Sequence, residues 1–358
     1  MGTHKGRDLE ATRSIFRGWL ERTLADASDV SVSELTPPGA TGFSNDTLFF
    51  DLGYDGPDGP VSESLVLRIQ PTENQVFPDY DLGKQIRTMQ LLEATDVPVA
   101  RVLWYEPDAS VLGAPFYVMA RIDGRIPTDN PPYHVGGWLT EASEAERESL
   151  WWSALEALGR IHQLDWRAVG FDFLDETGGS ETPLSLQLGQ YRRYLEWAAR
   201  GRPQPVCEPA LEWLEKNAPT GEPTVLNWGD ARIGNMIFDG GRCRAVLDWE
   251  MVTIGSPDAD LAWFLFLDRH HCEGIGAPRL AGFPSREATI ARYAAQTGHT
   301  PRHLEYYEAF AAFRFSVIMI RLADQFVALG LMPETSDFAV NNIPSRMLAK
   351  MLDLPAPG

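Results

Sequence analysis

Lysine is almost missing from this chain. Lys5, Lys84, Lys216 and Lys350 are the only four among 358 residues, so nearly all positive charge is arginine. Cysteine is as sparse: Cys207, Cys243 and Cys272 form an odd set without metal-type spacing, which argues against a disulfide scaffold and fits a reducing compartment. Basic residues are outnumbered, 31 against 50 acidic, and the net charge of −19 repels phosphate backbones and anionic lipid heads. Nucleic acid and membrane surfaces are therefore not expected partners. Long apolar runs are missing too; the longest, near residues 261–267, has about a third of the length needed to span a bilayer. The opening residues lack the uninterrupted apolar stretch of a secretory signal, and a soluble, cytoplasmic protein is expected. No Gly-x-x-x-x-Gly-Lys-Ser/Thr pattern is present, which removes a P-loop nucleotidase, and no serine nucleophile elbow is present either.

What is there suits an ordinary globular protein. The hydrophobic fraction is 44%, and the length has room for two or three average domains. Leu9, Ile15, Phe16, Trp19, Leu20 and Leu24 recur at helical spacing over residues 9–26, and strand-like runs follow at 31–36, 46–52 and 63–69. A helix over 81–94 and strands near 101–105 and 115–121 complete a first region. The Pro-rich stretch 127–132 then breaks the pattern. Beyond it helices are expected at 144–164, 184–200, 208–217, 258–269, 286–297, 302–330 and 336–353, with short strands between 224 and 248; Arg314 and Arg321 interrupt the otherwise apolar 309–323. The spacing predicts an α+β chain with two parts, residues 1–122 and residues 123–358.

One stretch carries chemistry. In VLNWGDARIGNMIFDGGRCRAVLDWE, residues 225–250, Asp230 is followed by Asn235 five positions on and by Asp248 thirteen beyond that, each beside a short apolar strand. Phosphoryl transfer uses such a set: one carboxylate orients the attacking hydroxyl, while an amide oxygen and a second carboxylate hold magnesium against nucleotide phosphates. An isolated Asp-x-x-x-x-Asn is usually a turn. The ordered set is more specific.

This segment resembles the catalytic segment of the aminoglycoside phosphotransferase family, a branch of the protein-kinase-like fold, in which the Asp-x-x-x-x-Asn loop precedes a magnesium-binding Asp-Trp-Glu. GSPDADLAWF, residues 255–264, resembles the Gly-x-Pro-x-x-Asp-Leu-Ala helix start of the same family. The resemblance implies a small antiparallel-sheet N-terminal lobe and a mostly helical C-terminal lobe. It also implies ATP and Mg2+ as cofactors, Asp230 as the catalytic carboxylate, Asn235 and Asp248 as metal ligands, and Asp260 as a buttress of the catalytic loop. Arg232 stands where such proteins often carry a cation reaching the transferred phosphate; a salt bridge is the plainer alternative.

The phosphate loop is expected in PPGATGFSNDTLFF, residues 37–50, where Gly42, Ser44 and Asn45 permit close backbone approach and add donors; a hairpin turn is the bland alternative. Arg68 stands where the family uses a strand lysine, its fork of donors suiting phosphate oxygens. Gln85 is the nearest match to that lysine's glutamate partner. Ala120 to Ile122 are the expected backbone partners of adenine. Trp228 replaces the histidine usual two residues before the catalytic aspartate and reads as core, and His162 reads as structural.

The resemblance implies a hydroxyl of a small molecule as the acceptor. Glu250, Asp258 and Asp268 would attract a polycationic aminosugar; Asp258 and Asp268 are equally readable as solvated helix residues. The WGDARIGN and LDWE segments with Arg68 look closer to the kinase domains fused to acyl-CoA dehydrogenases, which implies a hydroxylated metabolite or hydroxyacyl thioester. Trp151, Trp152, Tyr191, Tyr194, Trp197 and Trp263 line a pocket or fill the core. A nucleotide-binding pseudokinase is the rival from another class; a protein kinase is disfavoured because no Ala-Pro-Glu follows Asp248. Oligomeric state leaves no mark in the sequence.

Overall fold

The computed structural model describes residues 7–38, 46–72, 75–179 and 181–357. The chain divides into two compact units: Met1–Gln75 with Asp81–Ala94 and Val99–Asp123, and Val76–Tyr80 with Thr95–Pro98 and Gly124–Gly358.

The first unit is built on alternation. Leu48, Phe50 and Leu52 in β2 (Asp46–Gly56) and Leu65, Leu67 and Ile69 in β3 (Gly59–Ile69) recur every second residue, so one sheet face is apolar. These strands pair antiparallel in register from Asp46↔Ile69 to Gly56↔Gly59. With β1 (Ser28–Val32), β4 (Val102–Glu106) and β5 (Phe116–Ala120) they form a five-stranded sheet of order β1-β2-β3-β5-β4. Helix α1 (Leu9–Thr23), capped by the Asp8 carboxylate, lays Phe16, Trp19 and Leu20 on that face. Burying each such side chain contributes about 1.5–3 kcal/mol. Because β3 is central, Val66 on its other face is buried as well. Helix α2 (Leu82–Leu92) starts at an Asp81 cap and buries Gln85, Ile86 and Met89.

The second unit is mostly helical: α3 (Trp138–Glu141), α4 (Glu144–His162), α5 (Trp166–Val169), α6 (Pro183–Ala199), α7 (Cys207–Lys216), α8 (Pro257–His271), α9 (Arg286–Thr297), α10 (Leu304–Ala328) and α11 (Ile343–Met351). Two short antiparallel pairs are set into it. Strand β6 (Val225–Asn227) pairs with β9 (Thr253–Gly255), and β7 (Met236–Asp239) with β8 (Arg242–Val246). No helix among the described residues is long and apolar enough to cross a membrane.

The strands expected at 46–52 and 63–69 run on into their shared turn as Asp46–Gly56 and Gly59–Ile69, and two other elements end or begin elsewhere. The strand expected at 31–36 is β1, which begins at Ser28 and ends at Val32; Thr36 keeps only an isolated bridge to Phe49 before Pro37 and Pro38, which have no N–H to pair. The helix expected over 336–353 starts at Ile343. Asn342 accepts from the Ser345 N–H at 3.0 Å, and Pro344 in the first turn tolerates only a helix start.

Candidate active site

The spacing of Asn235 and Asp248 has a topological cause. Asn235 immediately precedes β7 and Asp248 lies two residues after β8, so the hairpin returns the chain to where it left. The Leu247 N–H donates to the Asn235 carbonyl at 2.8 Å and closes its base. Asp248 adopts a left-handed backbone, φ 54°, uncommon for a residue with a Cβ. The Trp228 indole N–H holds that turn, donating to the carbonyls of Leu247 at 2.8 Å and Asp248 at 3.2 Å.

Asp230 is the hub. Its Oδ2 accepts from Asn235 Nδ2 at 2.6 Å, its Oδ1 from Trp263 Nε1 at 2.8 Å, and Arg232 Nε lies 3.2 and 3.3 Å from the two oxygens. A carboxylate only accepts, so the Asn235 amide must turn its NH2 toward Asp230, leaving Oδ1 as its ligand oxygen. That oxygen and the half-buried Asp248 carboxylate are the two oxygens that would meet a metal at the ends of this hairpin. They fit magnesium, which takes one or two protein oxygens and completes its shell with phosphates and water.

Arg232 is engaged on two carboxylates. Besides Asp230 it holds both oxygens of Asp129, at 2.7 and 2.6 Å. Burial alone would depress its pKa, yet Asp129, Asp230 and Asp248 together raise it above the ordinary value. Burial pushes the Asp129 carboxyl up, but Arg232 and His271 outweigh it and hold it well below the usual range. The geometry thus realises the ion pair weighed as the plainer alternative for Arg232.

The loop before Asp230 is held from beneath. Asp260, fully buried in the first turn of α8, accepts the Trp228 N–H at 2.6 Å and the Gly229 N–H at 2.9 Å. His162 Nε2 lies 3.2 Å from the same carboxylate and His162 Nδ1 2.6 Å from the Tyr293 hydroxyl. His162 is therefore a structural link.

Other expected residues fall elsewhere. Gly42, Ser44 and Asn45 lie outside the described residues. Arg68, in β3 opposite Thr47 and Tyr117, is 8% exposed, so it is not a solvated strand residue. Gln85 is buried in α2. Ala120 ends β5, and its N–H already donates to the Arg101 carbonyl at 2.9 Å. That N–H is therefore not open to the role expected of it, and Ile122 lies two residues on. Asp258 and Asp268 are neither solvated nor turned to an acceptor. Asp258 is taken by His299 at 2.6 Å and by the Arg302 and His303 N–H groups; Asp268 by Tyr133, His134 and Arg279.

Three residues of the site were missed. Asp129 sits in the Pro-rich stretch read as a boundary and meets Arg232 across 103 positions, a distance no local pattern signals. Trp263 was read only as pocket or core. Arg314, read as an interruption of an apolar helix, is 4% exposed and donates to the Gly229 carbonyl at 3.0 Å. That interruption was the one available signal.

One unit built on a five-stranded antiparallel sheet and one mostly helical unit, the latter carrying Asp230 against Asn235 at the base of a hairpin that ends near Asp248, have the elements of a kinase-like fold. The chain matches the phosphotransferase enzyme family (APH) over residues 36–307 and belongs to it. It is 31% identical over 286 residues to acyl-CoA dehydrogenase family member 11 of Mus musculus, covering 77% of this chain and 34% of that protein. The chain thus spans about a third of that relative's length. A proposed aminoglycoside phosphotransferase of Ralstonia eutropha JMP134 superposes with a TM-score of 0.66 at 23% identity, covering 94% of this chain and 95% of that one. An aminoglycoside phosphotransferase solved with ADP bound gives a TM-score of 0.53 at 15% identity, covering 94% and 98%.

Proposed function

We propose that this chain transfers the γ-phosphoryl group of ATP to a hydroxyl of a small molecule, with magnesium. The observation that carries the reading is the 2.6 Å contact between Asp230 and Asn235 at the base of the hairpin that also delivers Asp248. Asp230 orients the acceptor hydroxyl and accepts its proton as the phosphoryl group departs from ADP. Asn235 and Asp248 would hold the metal, which supplies charge neutralisation at the phosphates. Arg232, fixed on Asp129, limits how far Asp230 can rotate. Arg68, buried in β3, is the candidate cation for nucleotide phosphate. Neighbours solved with ADP and with GDP support a purine nucleotide as donor.

For the acceptor, we favour a hydroxylated metabolite of hydroxyacyl type over an aminosugar. Asp258 and Asp268, two of the three carboxylates that would have drawn a polycation, are satisfied internally, and the resemblance to acyl-CoA dehydrogenase family member 11 points to acyl chemistry. The deciding experiment incubates the full chain with labelled ATP, magnesium and separate pools of aminoglycosides and hydroxyacyl-CoAs. Label should pass to the hydroxyacyl pool, and Asp230→Asn should abolish transfer while ATP still stabilises the protein. Retained transfer in that variant refutes the assignment of Asp230. ATP binding without transfer to any acceptor identifies a pseudokinase instead.

A further inference from the structure

Arg314 is a cation in an unusual place. It lies in α10, the most apolar long helix of the second unit, and is 4% exposed. Among the described residues its hydrogen-bond partners are neutral: Nε donates to the Tyr191 hydroxyl at 3.1 Å and Nη2 to the Gly229 carbonyl at 3.0 Å. Its guanidinium carbon stands 4.4 Å from the Trp263 ring centroid, with Tyr191 and Phe310 at 5.3 and 5.5 Å. A charge buried without a counter-charge is costly unless dipoles and aromatic faces surround it, as they do here. A leucine would fill this helix position more cheaply, so the charge calls for a use.

We propose that Arg314 and Trp263 form a second brace that holds the Asp230 carboxylate in one orientation, opposite the brace supplied by Asn235 and Arg232. The inference deepens the reading of Asp230 as the acceptor-orienting group and rests on it. It acts by two routes. Along the backbone, Arg314 fixes the carbonyl of Gly229 while Asp260 fixes its N–H at 2.9 Å, so the residue before Asp230 is pinned at both ends. Through the side chain, the cation above the indole face draws electron density from the ring and makes Nε1–H a stronger donor to Asp230 Oδ1, 2.8 Å away. Both residues act through Asp230 and are positioning residues.

The test uses the full chain labelled with 15N-tryptophan, where loss of one indole resonance in Trp263→Phe assigns Trp263. Asp230→Asn and Arg314→Met should both move that resonance upfield, whereas a cation that only fills space would leave it in place. In parallel, ADP release from ATP and magnesium, with water or the acceptor pools supplied, should fall about ten- to a hundredfold in kcat for Trp263→Phe, as expected for a lost bond to a charged group. KM for ATP should stay unchanged, and Trp263→His, which restores a ring N–H, should recover part of the loss. The Trp263→Phe and Arg314→Met effects should combine to less than their product, since they share one route. An indole resonance unmoved by Arg314→Met overturns the inference, as does wild-type kcat in Trp263→Phe. Should Arg314→Met fail to fold, the Trp263 and Asp230 variants still decide it. Turnover surviving in Asp230→Asn would instead refute the base assignment, and an inactive Asp230→Asn beside a fully active Trp263→Phe would refute the brace alone.

Discussion

The Trp228 indole N–H lies 2.8 Å from the carbonyl oxygen of Leu247, and so the residue two before Asp230 holds the backbone of the turn that presents Asp248. The same N–H lies 3.2 Å from the Asp248 carbonyl, which helps keep that residue at φ 54°. Trp228→Phe keeps an aromatic side chain, trims the buried indole and removes the donor. The expected outcome is a stability loss of at least about 1–3 kcal/mol, because two partly buried carbonyls lose their donor and the core loses part of the indole, and a higher magnesium concentration at half-maximal activity. Urea unfolding and a magnesium titration of turnover measure the two effects; an unchanged magnesium dependence would confine Trp228 to packing.

Asp260→Ala removes the acceptor for two loop N–H groups and leaves His162 without its carboxylate. Breaking a buried charged network by deleting one member costs roughly 3–5 kcal/mol. The urea midpoint should fall accordingly, and kcat should fall further than the folded fraction does. A loss below about 1 kcal/mol would show that the loop is held by other contacts.

Gly229 has φ +94°, and a Cβ there would run into the Met251 backbone carbonyl. Neither side of that contact is a flexible side chain. Gly229→Ala should therefore lose cooperative unfolding or all turnover. Gly240→Ala, at φ +55° with nothing within 4 Å of the added carbon, should cost only about 1–2 kcal/mol. Comparable costs at the two positions would remove the case for close approach at Gly229.

Burial, aided by the neighbouring His271, depresses the His270 imidazole to about 3. In the unfolded chain the same group protonates near 6.5. Between those values the unfolded state binds more protons, so stability rises with pH and is lost as pH falls from about 6.5 toward 3, by at most about 1.4 kcal/mol per unit. Urea unfolding at pH 7.5 and pH 5 should show this slope, and His270→Leu should flatten it. A variant with the wild-type slope would assign the acid sensitivity to other groups.

Much of this protein is local in origin and was legible for that reason. The alternating Leu48, Phe50 and Leu52 mark a half-buried strand whatever surrounds it, and the fourteen residues from Asn235 to Asp248 make a hairpin through their own turn glycines, Gly240 and Gly241. Asp260 was legible only through the resemblance of GSPDADLAWF to the family's helix start; that it meets the loop N–H groups follows from where α8 packs. The start of α11 was not legible from apolar spacing alone, since the Asn342 cap outranks periodicity once Pro344 restricts the first turn.

The sequence by itself determined which residue types stand at the hub and in what order, since strand alternation, turn glycines and a five-residue loop act over distances the backbone spans directly. Tertiary structure alone decided what surrounds Asp230. Asp129 reaches Arg232 across 103 positions, Trp263 reaches Asp230 across 33, and Arg314 reaches Gly229 across 85. Contacts so far apart along the chain follow from how helices pack, and they leave no periodic trace. Packing also settled that Asp258 and Asp268 serve the interior, because a buried carboxylate is tolerated only where donors meet it.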